Sequence, residues 1–224
     1  ADDAFLASVL HFKGGTCAAM RGMLNRFSID LDFDAIISKK EIAPIRKSLE
    51  SHFHSLGLEI KDSSKAGVQY FLKYAAPHGK RNTIKIDVLI PPPKNNMYEP
   101  VYLAEIDRTF LCQTPETMFA NKLVAVLDRF DKSGAIAGRD LYDIHAFFLQ
   151  GLRYRPEIIQ ERRSIPVETF FRKLIEFIEK HITKTTIDED LNLLLPPTEF
   201  QKIRKHLKTE TVMLLQDELE RLKK

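Results

Sequence analysis

Ile29-Asp30-Leu31-Asp32-Phe33 alternates large apolar residues with aspartates. Successive strand side chains point to opposite faces, so a strand here sets both carboxylates against one side and Ile29, Leu31 and Phe33 against the other. The apolar side needs a core to cover it. The acids repel each other unless a cation or protons relieve them. This segment therefore asks for a sheet buried on one face and acidic on the other.

Ile84-Lys85-Ile86-Asp87-Val88-Leu89-Ile90 has a related design, with Lys85 and Asp87 sharing a face opposite Ile84, Ile86, Val88 and Ile90. Paired beside residues 29–33, it lets Asp87 join Asp30 and Asp32 in a three-carboxylate cluster. Such a cluster suits Mg²⁺, with Mn²⁺ as a substitute, because these cations take carboxylate and phosphate oxygens. Two-metal phosphoryl or nucleotidyl transfer uses this arrangement, with Asp87 holding the second metal or taking the acceptor's proton. The plainer reading pairs Asp87 with Lys85 or a nearby arginine.

Upstream, Val9 to Phe12 reads as a short strand running into Gly14-Gly15, and Thr16 to Asn25 as a helix with Cys17, Met20 and Leu24 on its apolar side. Glycines let backbone N–H groups approach a ligand, and a helix start favours phosphate. Alone, the glycine pair could be a tight turn. Followed by Asp-x-Asp, it places a phosphate cradle of Gly14, Gly15 and Thr16 in one compact unit with metal ligands. Arg26 and Ser28 precede the acids and either orient them or touch phosphate.

Beyond this unit, Ile42, Ile45, Leu49, Phe53 and Leu56 recur at helical steps, with Gly57 placed as a cap. Strands are expected at Leu58 to Lys61, Gly67 to Tyr74, Thr83 to Ile90, Val101 to Ile106 and Thr109 to Cys112. Thr114 then offers an N-cap and Pro115 a first helical residue, and the texture becomes helical. Helices are expected from Pro115, over Arg139 to Leu149, over Pro166 to His181, and twice after Pro197. The expected architecture is α+β: a mixed sheet with flanking helices over 1–113, followed by a C-terminal helical bundle over 114–224.

With 224 residues, 44% of them apolar and 29% charged, the chain has the composition of a soluble globular protein. A net charge of +3 gives no general pull toward polyanions. Arg153, Arg155, Arg162, Arg163, Arg172 and Lys173 fall close together, however, as either a polyanion-facing surface or a solvated helical face. Two cysteines build neither a disulfide framework nor a cysteine zinc site, which fits a reducing cytosol. No segment approaches the roughly 18 apolar residues of a membrane span. The acidic start lacks the basic residues of a secretory signal and the initiator methionine, so an N-terminal piece is expected to have been removed or left out. A cytoplasmic location is expected, with no membrane partner.

Lys13-Gly14-Gly15-Thr16 followed by Arg26-Phe27-Ser28-Ile29-Asp30-Leu31-Asp32-Phe33 resembles the first motif of the AbiEii/AbiGii-type nucleotidyltransferase toxins. Ile84 to Val88 resembles their second motif, Lys122 to Arg129 their lysine-bearing helix, and Arg139-Asp140-Leu141-Tyr142-Asp143 the Arg-Asp-x-x-Asp that follows. The resemblance implies a DNA polymerase β-like nucleotidyltransferase fold whose helical half completes the active-site cleft. It also implies an NTP substrate, Lys122 on the triphosphate and Asp140 as a functional acid. An RNA acceptor (the tRNA 3′ end) or a protein acceptor, and an antitoxin encoded nearby, are implied as well. Without the resemblance, Lys122 reads as a snorkelling surface lysine and Asp140 as a helix-start acid; Asp143 reads as structural. The insert Phe130 to Gly138 is longer than the family pattern, and the helix before the Gly-Gly strand is shortened. Two other functions fit the same motifs: a non-catalytic NTP-binding module and a metal-dependent phosphodiesterase. His11 and His145 have no metal-ligand partner at recognisable spacing and are left unassigned.

Overall fold

In the computed structural model, which describes residues 2–223, the chain divides into two compact units. The first comprises Ala1–Arg21, Ser28–Pro92 and Tyr98–Gln113; the second comprises Gly22–Phe27, Pro93–Met97 and Thr114–Lys224. Two short segments from before residue 113 thus belong with the helical part.

The first unit is built on strands β1 (Leu10–Lys13), β2 (Leu31–Ala35), β3 (Glu59–Ser63), β4 (Val68–Lys73), β5 (Thr83–Leu89), β6 (Tyr98–Leu103) and β7 (Arg108–Gln113). They form one seven-stranded sheet in the order β3-β4-β5-β2-β1-β7-β6. The β2–β5 and β1–β7 pairs are parallel, and the other neighbours are antiparallel. Helices α1 (Ala4–Val9), α2 (Gly14–Met20) and α3 (Ile42–Ser55) complete the unit.

One face of this sheet is the core. Ile45, Leu49 and Phe53 of α3 are buried with Leu10, Val68, Tyr70, Leu72, Ile86 and Val88, while Leu31, Phe33 and Ile84 pack against the same cluster. These are the apolar members of each alternation, brought into rows by the ladder: Tyr70 opposite Ile86, and Ile86 opposite Leu31. Fully burying one such side chain stabilises the fold by about 1.5–3 kcal/mol. Gly57, with φ +68°, ends α3 in the left-handed conformation expected of a cap.

The largest boundary differences from the sequence expectation fall on three elements. The acid strand runs over Leu31–Ala35 rather than 29–33: its ladder to β5 begins at Leu31 opposite Ile86, and its ladder to β1 runs from Asp32 opposite Lys13 to Ala35 opposite Leu10. The helix after the glycine pair starts at Gly14 itself and stops at Met20, two residues before Gly22 at φ +71°. The strand expected over 101–106 begins at Tyr98 and ends at Leu103, where a single 3₁₀ turn takes over.

The second unit consists of helices α4 (Pro115–Ser133), α5 (Gly138–Leu149), α6 (Pro156–Arg163), α7 (Val167–His181), α8 (Lys184–Leu191), α9 (Pro197–Ile203) and α10 (Leu207–Leu222). Thr114 caps α4, its hydroxyl accepting from the Thr117 N–H at 3.3 Å, with Pro115 as the first helical residue. Helices α6 and α8 have eight residues each and too little apolar period to announce themselves. The core includes Phe119, Leu123, Leu141, Phe147, Ile158, Phe170, Phe171 and Leu174, all fully buried. The approach of α5 to α8 is close: a Cβ on Gly138 would lie 2.8 Å from the Thr186 carbonyl oxygen, and the Gly138 N–H donates to Asp190 at 2.6 Å. The basic cluster is largely paired within this unit. Arg162 donates to Asp128 and Asn121, Arg163 to Asp128 and Asp131, and Arg172 to Glu168. Among the described residues, no helix is long and apolar enough to cross a membrane.

Candidate active site

At the end of β1 the chain turns through Gly14, whose φ of +80° is a conformation few side chains tolerate. A Cβ there would collide with Asp32 Oδ2 and lie 3.0 Å from Asp32 Cβ. The glycine is thus required twice, for the turn and for the space that the Asp32 carboxylate occupies. Lys13 lies opposite Asp32, Asp32 opposite Asp87, and Asp87 opposite Gln69. Four adjacent strands thereby contribute one polar row, on the face opposite the core.

Asp30 stands one residue before β2. Its carboxylate accepts from Arg81 at 2.8 Å and from the Lys85 amide at 3.4 Å, and its carbonyl accepts from the Thr16 hydroxyl at 2.5 Å. Thr16 Oγ1 and Ser28 Oγ are 2.9 Å apart. Thr16 and Ser28 therefore tie the approach to the acid strand onto α2. Asp87 accepts from Lys85 at 2.5 Å and from Gln69 at 3.1 Å, both at Oδ2.

A further acid was missed in the sequence. Asp34 continues the Asp30, Asp32 alternation and is fully buried, accepting from Lys13 at 2.5 Å, Gln113 at 2.6 Å and Tyr98 at 2.9 Å. His11 lies opposite it in the ladder, its ring 4.3 Å from that of Tyr98. Burial pushes the His11 pKa down, against the pull of the Asp34 carboxylate. The Asp-x-Asp-x-Asp spacing was the available signal. It was lost by ending the strand at Phe33.

The remaining candidates lie in the second unit and form a buried charge cluster. Arg26 donates to both oxygens of Asp143, at 2.6 and 2.7 Å. Lys122 Nζ lies 2.7 Å from Asp143 and 3.3 Å from Asp140, and Arg129 donates to Asp140 at 3.0 and 3.1 Å. Burial alone would lower the Lys122 pKa, but the Asp143 and Asp140 carboxylates outweigh it and hold it above the ordinary lysine value. Burial would raise Asp140, yet Lys122, Arg129 and Arg139 keep its carboxyl below the usual range. Arg26, placed by the sequence at the edge of the acid strand, thus has its guanidinium on Asp143. The acid read as structural binds two cations.

The sequence-stated candidates therefore fall into two groups. Gly14, Gly15, Thr16, Ser28, Asp30, Asp32 and Asp87 are together in the first unit; Arg26, Lys122 and Asp140 are together in the second. Among the described residues, no three histidine, cysteine or carboxylate side chains converge tightly enough to form a metal site unaided. Asp32 and Asp87, neighbours in register on the acid face, still fit a hard cation. Magnesium commonly takes one or two carboxylates and completes its shell with substrate phosphates and water.

Paired acids on adjacent strands of a mixed sheet, next to a strand–glycine–helix turn, define a nucleotidyltransferase-like fold, and comparison with solved structures agrees. A candidate nucleotidyltransferase from H. pylori superposes with a TM-score of 0.58 at 21% identity, over 97% of this chain and 91% of that one. JHP933 from Helicobacter pylori gives 0.51 at 20% identity, over 97% and 88%. The family described as "Nucleotidyl transferase AbiEii toxin, Type IV TA system" matches residues 1–216, and the chain belongs to that family. Comparison with curated proteins gives no match.

Proposed function

We propose that this family member is a Mg²⁺-dependent nucleotidyltransferase of the cytoplasm, moving NMP from an NTP to an RNA or protein acceptor under the restraint of a cognate antitoxin. The observation that carries the reading is the register of Asp32 beside Asp87, with Gly14 leaving room for the Asp32 carboxylate. In the reaction the acceptor oxygen bonds to the α-phosphorus, the α–β P–O bond breaks, pyrophosphate leaves, and the hydroxyl proton passes to solvent.

Asp32 and Asp87 would hold the cation, with Asp30 beside them. Bound there, Mg²⁺ or Mn²⁺ supplies positive charge against the phosphate oxygens. The Gly14, Gly15 and Thr16 amides open α2, where backbone N–H groups lack intrahelical partners and suit a phosphate. Thr16 and Ser28 keep Asp30 in place through the contacts above. In the second unit, Arg26, Lys122 and Arg129 are taken up by the carboxylates Asp140 and Asp143. Catalysis of this kind rests on positioning and electrostatics, which is what phosphoryl transfer asks of a protein.

The test is incubation with Mg²⁺, each labelled NTP in turn, and total cellular RNA and protein, resolved on a gel. Labelled RNA or protein that disappears with Asp32→Asn is expected. NTP binding without product on any acceptor would make the chain a binding module. NMP release from RNA without an NTP requirement would make it a phosphodiesterase.

A further inference from the structure

Lys85 precedes Asp87 by two residues on β5, so both side chains emerge on the acid face of the sheet. Its ammonium lies 2.5 Å from Asp87 Oδ2, the oxygen that also accepts from Gln69. In the adjacent position Arg81 lies 2.8 Å from Asp30. Asp30 and Asp87, both assigned above to the site, are therefore each met by one of the protein's own cations. The Lys85 and Asp87 side chains are 30% and 37% exposed, and an ion pair that open holds its partners weakly.

A divalent cation approaching Asp87 competes with the ammonium for the same carboxylate. The two are unequal rivals: the metal brings twice the charge, and lysine sits on a flexible four-carbon stem that relocates without moving the backbone. Arg81 is less free to move, since its Nε also donates to the Thr83 carbonyl at 3.1 Å. A displaced Lys85 ammonium remains on the acid face, where the anion that arrives with the cation is the nucleotide's polyphosphate. We infer that Lys85 is a displaceable counter-ion, neutralising Asp87 in the resting site and moving to the nucleotide's phosphates once a divalent cation takes the carboxylate. This rests on the nucleotidyltransferase reading and assigns to it a phosphate-binding residue.

The consequence is a coupling of opposite signs. Lys85 opposes the metal alone and favours the nucleotide, so it makes the two ligands bind as a pair. The full chain is titrated with Mn²⁺ by electron paramagnetic resonance without nucleotide, then with α,β-methylene analogues of the four NTPs in saturating Mn²⁺. Lys85→Met should tighten Mn²⁺ alone about two- to fivefold, the range expected for releasing an exposed ion pair. It should weaken the preferred analogue about tenfold, as for loss of one charge-assisted contact. Lys85→Arg should restore both affinities toward the parent. Lys85→Gln replaces the methionine variant if melting shows the latter misfolded. Unchanged or weaker Mn²⁺ binding in the charge-removed variant, or unchanged analogue binding, overturns the inference while the parent's own binding preserves the function reading. A parent that binds neither Mn²⁺ nor any analogue overturns both.

Discussion

Asp87 and Asp143 each have a lysine ammonium within 3 Å, at 2.5 and 2.7 Å, yet their surroundings differ sharply. The Asp87 side chain is over a third exposed, and its lysine comes from the same strand. Asp143 is fully buried and gripped on both oxygens by Arg26, with Lys122 added. The first pair can open at small cost and admit a ligand. The second cannot, because stripping a partner from a buried ion leaves an uncompensated charge. Identical residue types thus serve exchange in one unit and cohesion in the other, and exposure rather than distance tells them apart.

The largest expected effect attacks the buried side of this contrast. Asp143→Ala leaves Arg26 and Lys122 without their shared carboxylate and should cost about 3–5 kcal/mol in urea unfolding. Asp32→Asn attacks the other side. It should lower NMP transfer about 10²–10³-fold, the usual loss on removing one preorganised electrostatic group. Its unfolding free energy should stay within about 1 kcal/mol of the parent's, as for a partly exposed site. If the two variants exchanged their effects, the contrast would collapse.

Gly14→Ala tests where the acid face meets the turn. Strain at φ +80° should cost about 1–3 kcal/mol, and the added methyl must displace the Asp32 carboxylate, so transfer falls as well. The smallest effect is a pH signature confined to the buried cluster. Asp140 has a carboxyl held below its ordinary value, so its contribution is complete above the unfolded pKa of about 3.9 and disappears as pH falls through the folded value. Lys122 is held above its ordinary value, so its contribution is complete below an unfolded pKa of about 10.4 and disappears as pH rises through the folded one. Urea midpoints of the parent and Asp140→Asn should therefore stay apart through neutrality, begin to converge as pH falls below about 3.9, and meet only below the depressed folded pKa.

Much of the first unit was legible because period-two alternation is a local signal. It gave the acid strand, the Lys85–Asp87 strand and their common face. The caps of α3 and α4 were legible for the same reason, since Gly57, Thr114 and Pro115 act within one turn. What escaped depends on partners distant in sequence. The acid strand's limits follow from its pairing with β1 and β5, so its start was placed too early and Asp34 was left out. Arg26 looked like a companion of Asp30 because it is near in sequence, whereas its guanidinium belongs to Asp143 on α5. The basic cluster left two readings open, a polyanion-facing surface or a solvated helical face, and its sequence could not show that Arg162, Arg163 and Arg172 pair with acids on α4 and α7. Helices α6 and α8 are too short for periodicity to register.

The parallel pairing of β2 with β5 has a consequence for which insertions this chain can tolerate. Asp87 reaches Asp32 by ladder position, so residues added to segment 74–82 between β4 and β5 are absorbed before the ladder begins. One residue added between Thr83 and Asp87 inverts the parity of everything after it, turning Asp87 toward the core and an apolar side chain toward the acids. The edge strand β3 already accommodates a register shift between Ile60 and Asp62, a freedom that β5, paired on both sides, lacks. Odd and even insertions within β5 should therefore have opposite fates, while the hairpin just before it can vary in length.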